Sequence, residues 1–221
     1  MGYGILLLST RLPTEAYVSL MEKTDCHDIL IAPSTMKAIA TIQEVYPINS
    51  YLIPEKSTYN ILSSIKARKK SLSEPSVSSK VAFIIHSSGS TGLPKPIFQT
   101  HKACLSNYAN GTGYRAFLTL PLFHNHGLST FFRALFKGKA ISLYNANLPL
   151  SETHLVQGMT AVQPESFHGV PYALKLLSES EPGIALLRNC KLVQFGGSSC
   201  PDEIGDKLVN AGVYLVSHYG A

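Results

Sequence analysis

Short apolar runs alternate with amphipathic stretches along nearly the whole chain. Ile5–Ser9, Asp28–Ala32 and Tyr51–Ile53 read as strands. Between them, a helix is expected from Pro13 or Thr14 through Glu22, with Ala16, Val18 and Leu20 inward. A second is expected to be capped by Ser34 and to run through Met36, Ile39, Ala40 and Ile42. A third spans about Thr58 to Ala67 and precedes a polar run over 71–80, a natural subdomain junction. The alternation resumes after a strand ending near Ile85. Helix His101–Asn110 is followed by strand Ala116–Leu120, a helix through Phe131, Phe132, Leu135 and Phe136, and strand Ala140–Tyr144. Helix Ser151–Val162, strand Ser166–Val170 and helix Pro171–Leu177 come next. Strand Lys191–Phe195, helix Pro201–Asn210 and strand Val213–Ser217 complete the series. Strands separated by helices of about ten residues predict an α/β fold of mostly parallel, doubly wound sheets with flanking helices.

One strand end carries unusual chemistry. Val81-Ala82-Phe83-Ile84-Ile85 runs into His86-Ser87-Ser88-Gly89-Ser90-Thr91-Gly92-Leu93-Pro94-Lys95-Pro96. Gly89 and Gly92 tolerate positive φ, so successive main-chain N–H groups can turn inward as an anion nest. Ser87, Ser88, Ser90 and Thr91 add hydroxyl donors, and Lys95 adds a mobile positive charge. Gly89 and Lys95 have the spacing of a Walker A loop. That loop, however, needs a second glycine where Pro94 stands, a hydroxyl where Pro96 stands, and a helix opening at the lysine. Ile97-Phe98-Gln99-Thr100 reads as extended chain, so strand, loop, strand is expected, with the loop gripping phosphate unaided.

Ser87-Ser88-Gly89-Ser90-Thr91-Gly92-Leu93-Pro94-Lys95 resembles the phosphate-loop signature of the adenylate-forming enzymes, the superfamily of acyl-CoA synthetases, luciferases and nonribosomal peptide synthetase adenylation domains. The resemblance extends over nearly the whole chain. Pro121-Leu122-Phe123-His124-Asn125-His126-Gly127 is similar to the next family motif, which implies that His124 lies between the carboxylate substrate and the nucleotide phosphates. Phe195-Gly196-Gly197-Ser198 resembles the Gly-Gly segment whose main chain lies against adenine. Tyr219-Gly220 resembles the start of the motif whose tyrosine stacks on adenine. The implied reaction is R–COO⁻ + ATP → acyl-AMP + pyrophosphate, with Lys95 and His124 as catalytic residues. Ser87, Ser88, Gly89, Ser90, Thr91, Gly92, Lys95, Gly196, Gly197, Ser198, Tyr219 and Gly220 would bind ATP or AMP. The implied fold is part of the large N-terminal domain, with residues 1–221 a partial adenylation domain, the small C-terminal domain absent and the Mg²⁺ ligands mostly beyond Ala221. Such a fragment is expected to be inactive alone.

Within the superfamily, Ile85–Pro96 and Leu122–Leu128 look most like fungal synthetase-like carboxylate reductases, in which adenylation, carrier and reductase domains share one polypeptide. The resemblance therefore implies a small carboxylic acid as substrate and a phosphopantetheine carrier or CoA as acceptor. A free-standing acyl- or aryl-CoA ligase and a non-catalytic nucleotide-binding module remain as alternatives.

Other signals are set aside on physical grounds. Gly111-Thr112-Gly113-Tyr114-Arg115-Ala116 fits a dinucleotide fingerprint, but it follows a helix and enters a strand, the reverse of what that fingerprint requires. His124 and His126 lack further metal ligands nearby, and His168 reads as a core residue. Cys26, Cys104, Cys190 and Cys200 form no C-x-x-C, which suggests a reducing, cytoplasmic setting. Charged residues make up 15% of the 221, below the roughly 25% usual for soluble domains, as expected where more of the same polypeptide or a partner covers part of the surface. The net charge of +5 includes a cluster at Lys66, Arg68, Lys69 and Lys70 without interleaved aromatics, so no nucleic-acid partner is expected. No run approaches the roughly 18 apolar residues of a membrane span.

Overall fold

The computed structural model describes residues 4–54, 58, 80–87 and 92–220. Except for Thr58 and Lys80, the expected third helix, the basic cluster and the 71–80 junction lie outside them. So do Ser88, Gly89, Ser90 and Thr91 of the phosphate-loop motif. The chain divides into two compact units, Met1–Lys102 and Ala103–Ala221.

In the first unit, β1 (Ile5–Leu6) pairs parallel with β4 (Val81–His86), which pairs antiparallel with β5 (Pro96–Thr100). A separate parallel pair joins β2 (Asp28–Ile31) to β3 (Asn49–Leu52). Helix α1 (Thr14–Thr24) and α2 (Met36–Gln43) pack with this pair around Tyr17, Met21, Ile31, Ile39, Ile42 and Tyr46.

One expectation needs correction here. Ser34 caps nothing, because a 3-10 turn over Pro33–Thr35 places Thr35 at the helix start with no side-chain cap bond. Met36 and Ala40 face outward on α2. The inner stripe of α1 includes the expected Ala16 and Leu20, adds Tyr17 and Met21, and leaves Val18 partly buried beside it. A stripe of residues i, i+1, i+4 and i+5 is the broad apolar face expected of a surface helix.

The second unit opens in α3 (His101–Ala109), which begins at the unit boundary. Five parallel strands follow: β6 (Ala116–Leu118), β7 (Ile141–Leu143), β8 (Ser166–Gly169), β9 (Leu192–Gly196) and β10 (Leu215–His218). They stand in the order β10-β9-β8-β6-β7. Helix α4 (Asn125–Phe136) links β6 to β7, and α5 (Glu152–Val162) links β7 to β8. The path from β8 to β9 holds two helices, α6 (Pro171–Ser178) and α7 (Glu181–Asn189), and α8 (Asp202–Asn210) leads to β10. The sequence reading has no helix between Leu177 and Lys191. Its signal is local: Ser180 caps α7 by accepting from the Gly183 N–H, and Pro182 occupies the first turn.

Because the chain winds first toward β7 and then back past β6 toward β10, right-handed crossovers place α4 on one face of this sheet and α5–α8 on the other. Strand alternation then sorts the residues. Phe117, Phe167, Val193, Phe195 and Leu215 join Leu155, Met159, Leu174, Leu177, Leu187 and Leu208 in an apolar core. The alternate positions, Ser166, His168, Gln194 and His218, belong to the opposite face, toward α4. A parallel sheet covered on both faces ordinarily reads apolar on both. Here the face toward α4 is mixed, with Ser166, His168, Gln194 and His218 standing among Ala116, Leu118, Leu192 and Val216.

Candidate functional site

The strand–loop–strand expectation holds. Lys95 runs directly into β5, and His86 of β4 pairs with Pro96. Past that last pair, the Ser87 N–H donates to the Lys95 carbonyl at 3.0 Å, and the Lys95 N–H donates to Ser87 Oγ at 2.9 Å. These two bonds close the mouth of the loop and leave the Lys95 side chain exposed. Gly92 holds φ +142°, a conformation that L side chains rarely adopt.

A residue the sequence reading passed over braces this mouth from behind. His86 Nε2 accepts the Ser9 N–H at 3.2 Å, so the ring proton belongs on Nδ1, which donates to the Ser87 carbonyl at 2.9 Å. Ser9 is held in turn by Tyr17, whose hydroxyl donates to the Ser9 carbonyl at 2.6 Å. Only the pairing of β1 with β4 brings these groups together, and no local spacing signals that.

In the second unit the strand order reverses between β6 and β8. Ligands of open parallel sheets bind beyond the carboxyl ends of strands at such a reversal. Beyond β6 lies His124, exposed at the N-cap of α4 with its ring 4.7 Å from that of Phe123. The helix-cap reading of His124 describes its main chain, while its side chain makes no cap bond.

β9 ends in Gly196 and β10 is followed by Tyr219 and Gly220. A Cβ on Gly196 would stand 2.6 Å from the His218 carbonyl oxygen, so only glycine lets β9 and β10 approach there. Gly197 holds φ +89°, with Val170 Cγ1, at 3.9 Å, the one atom among the described residues within 4 Å of its missing Cβ. The main chain at Gly197 is therefore bare and reachable by a flat ring. Ser198 and Gly220 are exposed, and Tyr219 is 96% exposed with its ring open to stacking. These features fit an adenine. For Mg²⁺ the described residues supply no group of three His, Cys, Asp or Glu side chains, so no step is derived through that ion.

His126, in the first turn of α4, lies against this strand end. Its Nδ1 is 3.3 Å from the position of a Gly196 Cβ, and its ring centroid is 5.0 Å from that of His218 and 5.8 Å from that of His168. Neither ring nitrogen of His126 has a hydrogen-bond partner. Burial, with help from the His218 and Arg133 charges, pushes the His126 imidazole down to about 4. Burial, then the charges of His126 and Arg133, pushes His168 down to about 3. Both rings are neutral at physiological pH. The three histidines form a contact chain along one sheet face, which the sequence reading missed by treating each alone.

A family model described as AMP-binding enzyme matches residues 1–221. An adenylate-forming reductase of Aspergillus terreus is 27% identical over 241 residues, covering 100% of this chain and 22% of that protein. A carboxylic acid reductase of Neurospora crassa is 26% identical over 247 residues, covering 97% of this chain and 22% of that protein. The chain thus spans about a fifth of the length of these relatives. Among solved structures, a luciferase-like enzyme of the nonluminescent mealworm Zophobas morio superposes with a TM-score of 0.80 at 17% identity, over 99% of this chain and 54% of that one. At that identity the likeness establishes the fold alone. Family match, strand–loop–strand geometry and sheet topology agree: the chain belongs to the AMP-binding enzymes.

Proposed function

We propose that this chain provides the nucleotide- and acid-binding part of an enzyme that adenylates a small carboxylic acid, R–COO⁻ + ATP → acyl-AMP + pyrophosphate. The observation that carries the reading is the passage of Lys95 into a strand instead of a helix. It removes the Walker A alternative and leaves a hairpin loop with a free-standing lysine at its end.

The chemistry follows from charge. A carboxylate must approach a triphosphate, so the main need is neutralisation of negative charge, not a strong base. Lys95 brings an ammonium to the β- and γ-phosphates. Ser87, Ser88, Ser90 and Thr91 supply hydroxyls, and Gly89 and Gly92 let main-chain N–H groups face the phosphate. His124 donates to the carboxylate without carrying a permanent charge. Gly196, Gly197 and Ser198 form the main-chain surface against adenine, and Tyr219 with Gly220 covers its other side. Names of relatives that are reductases favour a phosphopantetheine carrier in the same polypeptide as the acyl acceptor, over free CoA.

Calorimetry of the chain with ATP and AMP tests the reading. Both nucleotides should bind, and Lys95→Ala should weaken ATP more than AMP, because only ATP carries the β- and γ-phosphates. Equal losses for the two would sink the assignment of Lys95. Hydrolysis of ATP at a rate indifferent to added carboxylic acids would replace the whole reading with a phosphohydrolase.

A further inference from the structure

The seam between β1 and β4 changes its chemistry where it reaches the loop. Main-chain bonds in a parallel pair repeat evenly, and the Leu7 N–H keeps that pattern by donating to the Ile84 carbonyl at 2.9 Å. With Leu6 opposite Ile84, the next step of the ladder would give the Ser9 N–H to the His86 carbonyl. The His86 ring takes it instead, through Nε2 at 3.2 Å. An imidazole thus stands where the register calls for a carbonyl.

The exchange matters because the two groups connect differently. A carbonyl can only accept, whereas a neutral imidazole accepts at one nitrogen and donates at the other. Nδ1 passes the connection on to the Ser87 carbonyl at 2.9 Å. Ser87 is thereby held at three points: its carbonyl by His86, its N–H by the Lys95 carbonyl and its Oγ by the Lys95 N–H. Ser9 is held at three as well. Its N–H meets His86, its Oγ accepts from the Arg11 N–H at 3.2 Å, and its carbonyl accepts from the Tyr17 hydroxyl at 2.6 Å.

Tyr17 is the far end of this series. Its ring belongs to the apolar cluster that α1 and α2 share with the β2–β3 pair, packed with Met21, Ile31, Ile39, Ile42 and Tyr46. From Tyr17 to Ser9, His86, Ser87 and the Lys95 carbonyl, every bond donates in the same sense, an order in which hydrogen bonds polarise and strengthen one another. Tyr17, Ser9 and His86 are buried, so water competes little for these bonds and a group left unmet is costly. All five residues lie in the first unit. A helix that carries no residue of the loop is therefore tied to the point where Lys95 leaves it.

We propose that Tyr17 and His86, linked through Ser9, are positioning residues for the Ser87–Lys95 clamp, and that they set how tightly the chain holds a nucleoside triphosphate. The inference rests on the adenylation reading for what the loop grips, and on the hydrogen bonds alone for what holds the loop. Neither residue touches the nucleotide; both act through Ser87.

Tyr17→Phe tests this, since it keeps the ring in its cluster and removes the hydroxyl. Calorimetry should show ATP affinity about three- to tenfold weaker and AMP affinity unchanged. Amide hydrogen exchange read by NMR should run about tenfold faster at Ser87 and Lys95, while Leu20 on α1 and Phe167 in the second unit keep their wild-type rates. Added to Ser87→Ala, Tyr17→Phe should cost less ATP affinity than it does alone, because the clamp it acts through is already open. His86→Gln, able to serve both partners, should lose less ATP affinity than His86→Phe. Wild-type exchange at both amides in Tyr17→Phe, or ATP and AMP weakened alike, or fully additive losses with Ser87→Ala, overturns this inference and leaves the adenylation reading standing. Faster exchange at both amides in a chain that binds neither nucleotide overturns the adenylation reading and leaves the relay to the clamp in place.

Discussion

Ser87 and Lys95 hold each other twice: the main chain of each donates to the other, once to a carbonyl and once to a hydroxyl. A hydroxyl that accepts from the main chain seven peptide links past the next residue is a loop clamp. It fixes where the lysine leaves the backbone and leaves its side chain free to follow a phosphate. Ser87 therefore acts in the loop first as an anchor.

Ser87→Ala should cost about 1 kcal/mol of stability, the ordinary value of one hydrogen bond. On the proposed function it should weaken ATP binding more than AMP binding, since that reading assigns the loop to the terminal phosphates. Calorimetric titration of both nucleotides against the variant decides this; an unchanged ratio of affinities counts against the clamp.

His86→Phe should be more damaging to the fold than Ser87→Ala. It strands both the Ser9 N–H and the Ser87 carbonyl, two partners that the imidazole serves from opposite sides. A loss of about 1–3 kcal/mol is expected, read as a lowered midpoint in urea denaturation. His86→Gln, which can donate and accept, should recover part of it.

Stability should fall as the solution is acidified toward pH 4. His126 and His168 have folded-state values of about 4 and about 3, below the usual 6.5, so the unfolded chain binds more protons through that window. Stability is then fully present above about pH 6.5 and is lost as pH drops, by at most about 1.4 kcal/mol per pH unit for each ring. Arg133 and His218 face the same rings and oppose their protonation. Thermal melts from pH 7 to pH 4 measure the slope. In His126→Asn it should flatten, and an identical slope would assign the acid sensitivity elsewhere.

Gly196→Ala should strain the sheet where Gly197→Ala strains a turn. The first drives a methyl to 2.6 Å from the His218 carbonyl, main chain against main chain, with a cost of about 1–3 kcal/mol. The second forces a side chain into φ +89°, for about 1–2 kcal/mol. Midpoints in chemical denaturation should drop for both. AMP affinity should drop further in Gly197→Ala, whose methyl projects into the open space over the main chain.

Much of this was legible in the residues themselves. Apolar runs marked all five strands of the second unit, and Pro94 with Pro96 foretold that no helix opens at Lys95. What escaped depended on contacts between distant segments. His86 needs Ser9, brought to it by the β1–β4 pairing across 77 positions. His126, His168 and His218 belong to three different elements, and only the strand order makes them neighbours. Helix α7 escaped although its start signal is local, a proline in the first turn after the cap residue Ser180. Ser34 shows the converse error, a good cap residue displaced when a 3-10 turn used the preceding proline.

The alternation of β8, β9 and β10 assigns neighbouring residues to separate duties. Phe167, Val193 and Phe195 hold the sheet to α5–α8, while His168, Gln194 and Gly196, interleaved with them, turn toward α4. Ser166, His168 or Gln194 can therefore be exchanged while the apolar layer keeps its packing. One face is free to drift over a scaffold whose foldability is inherited unchanged.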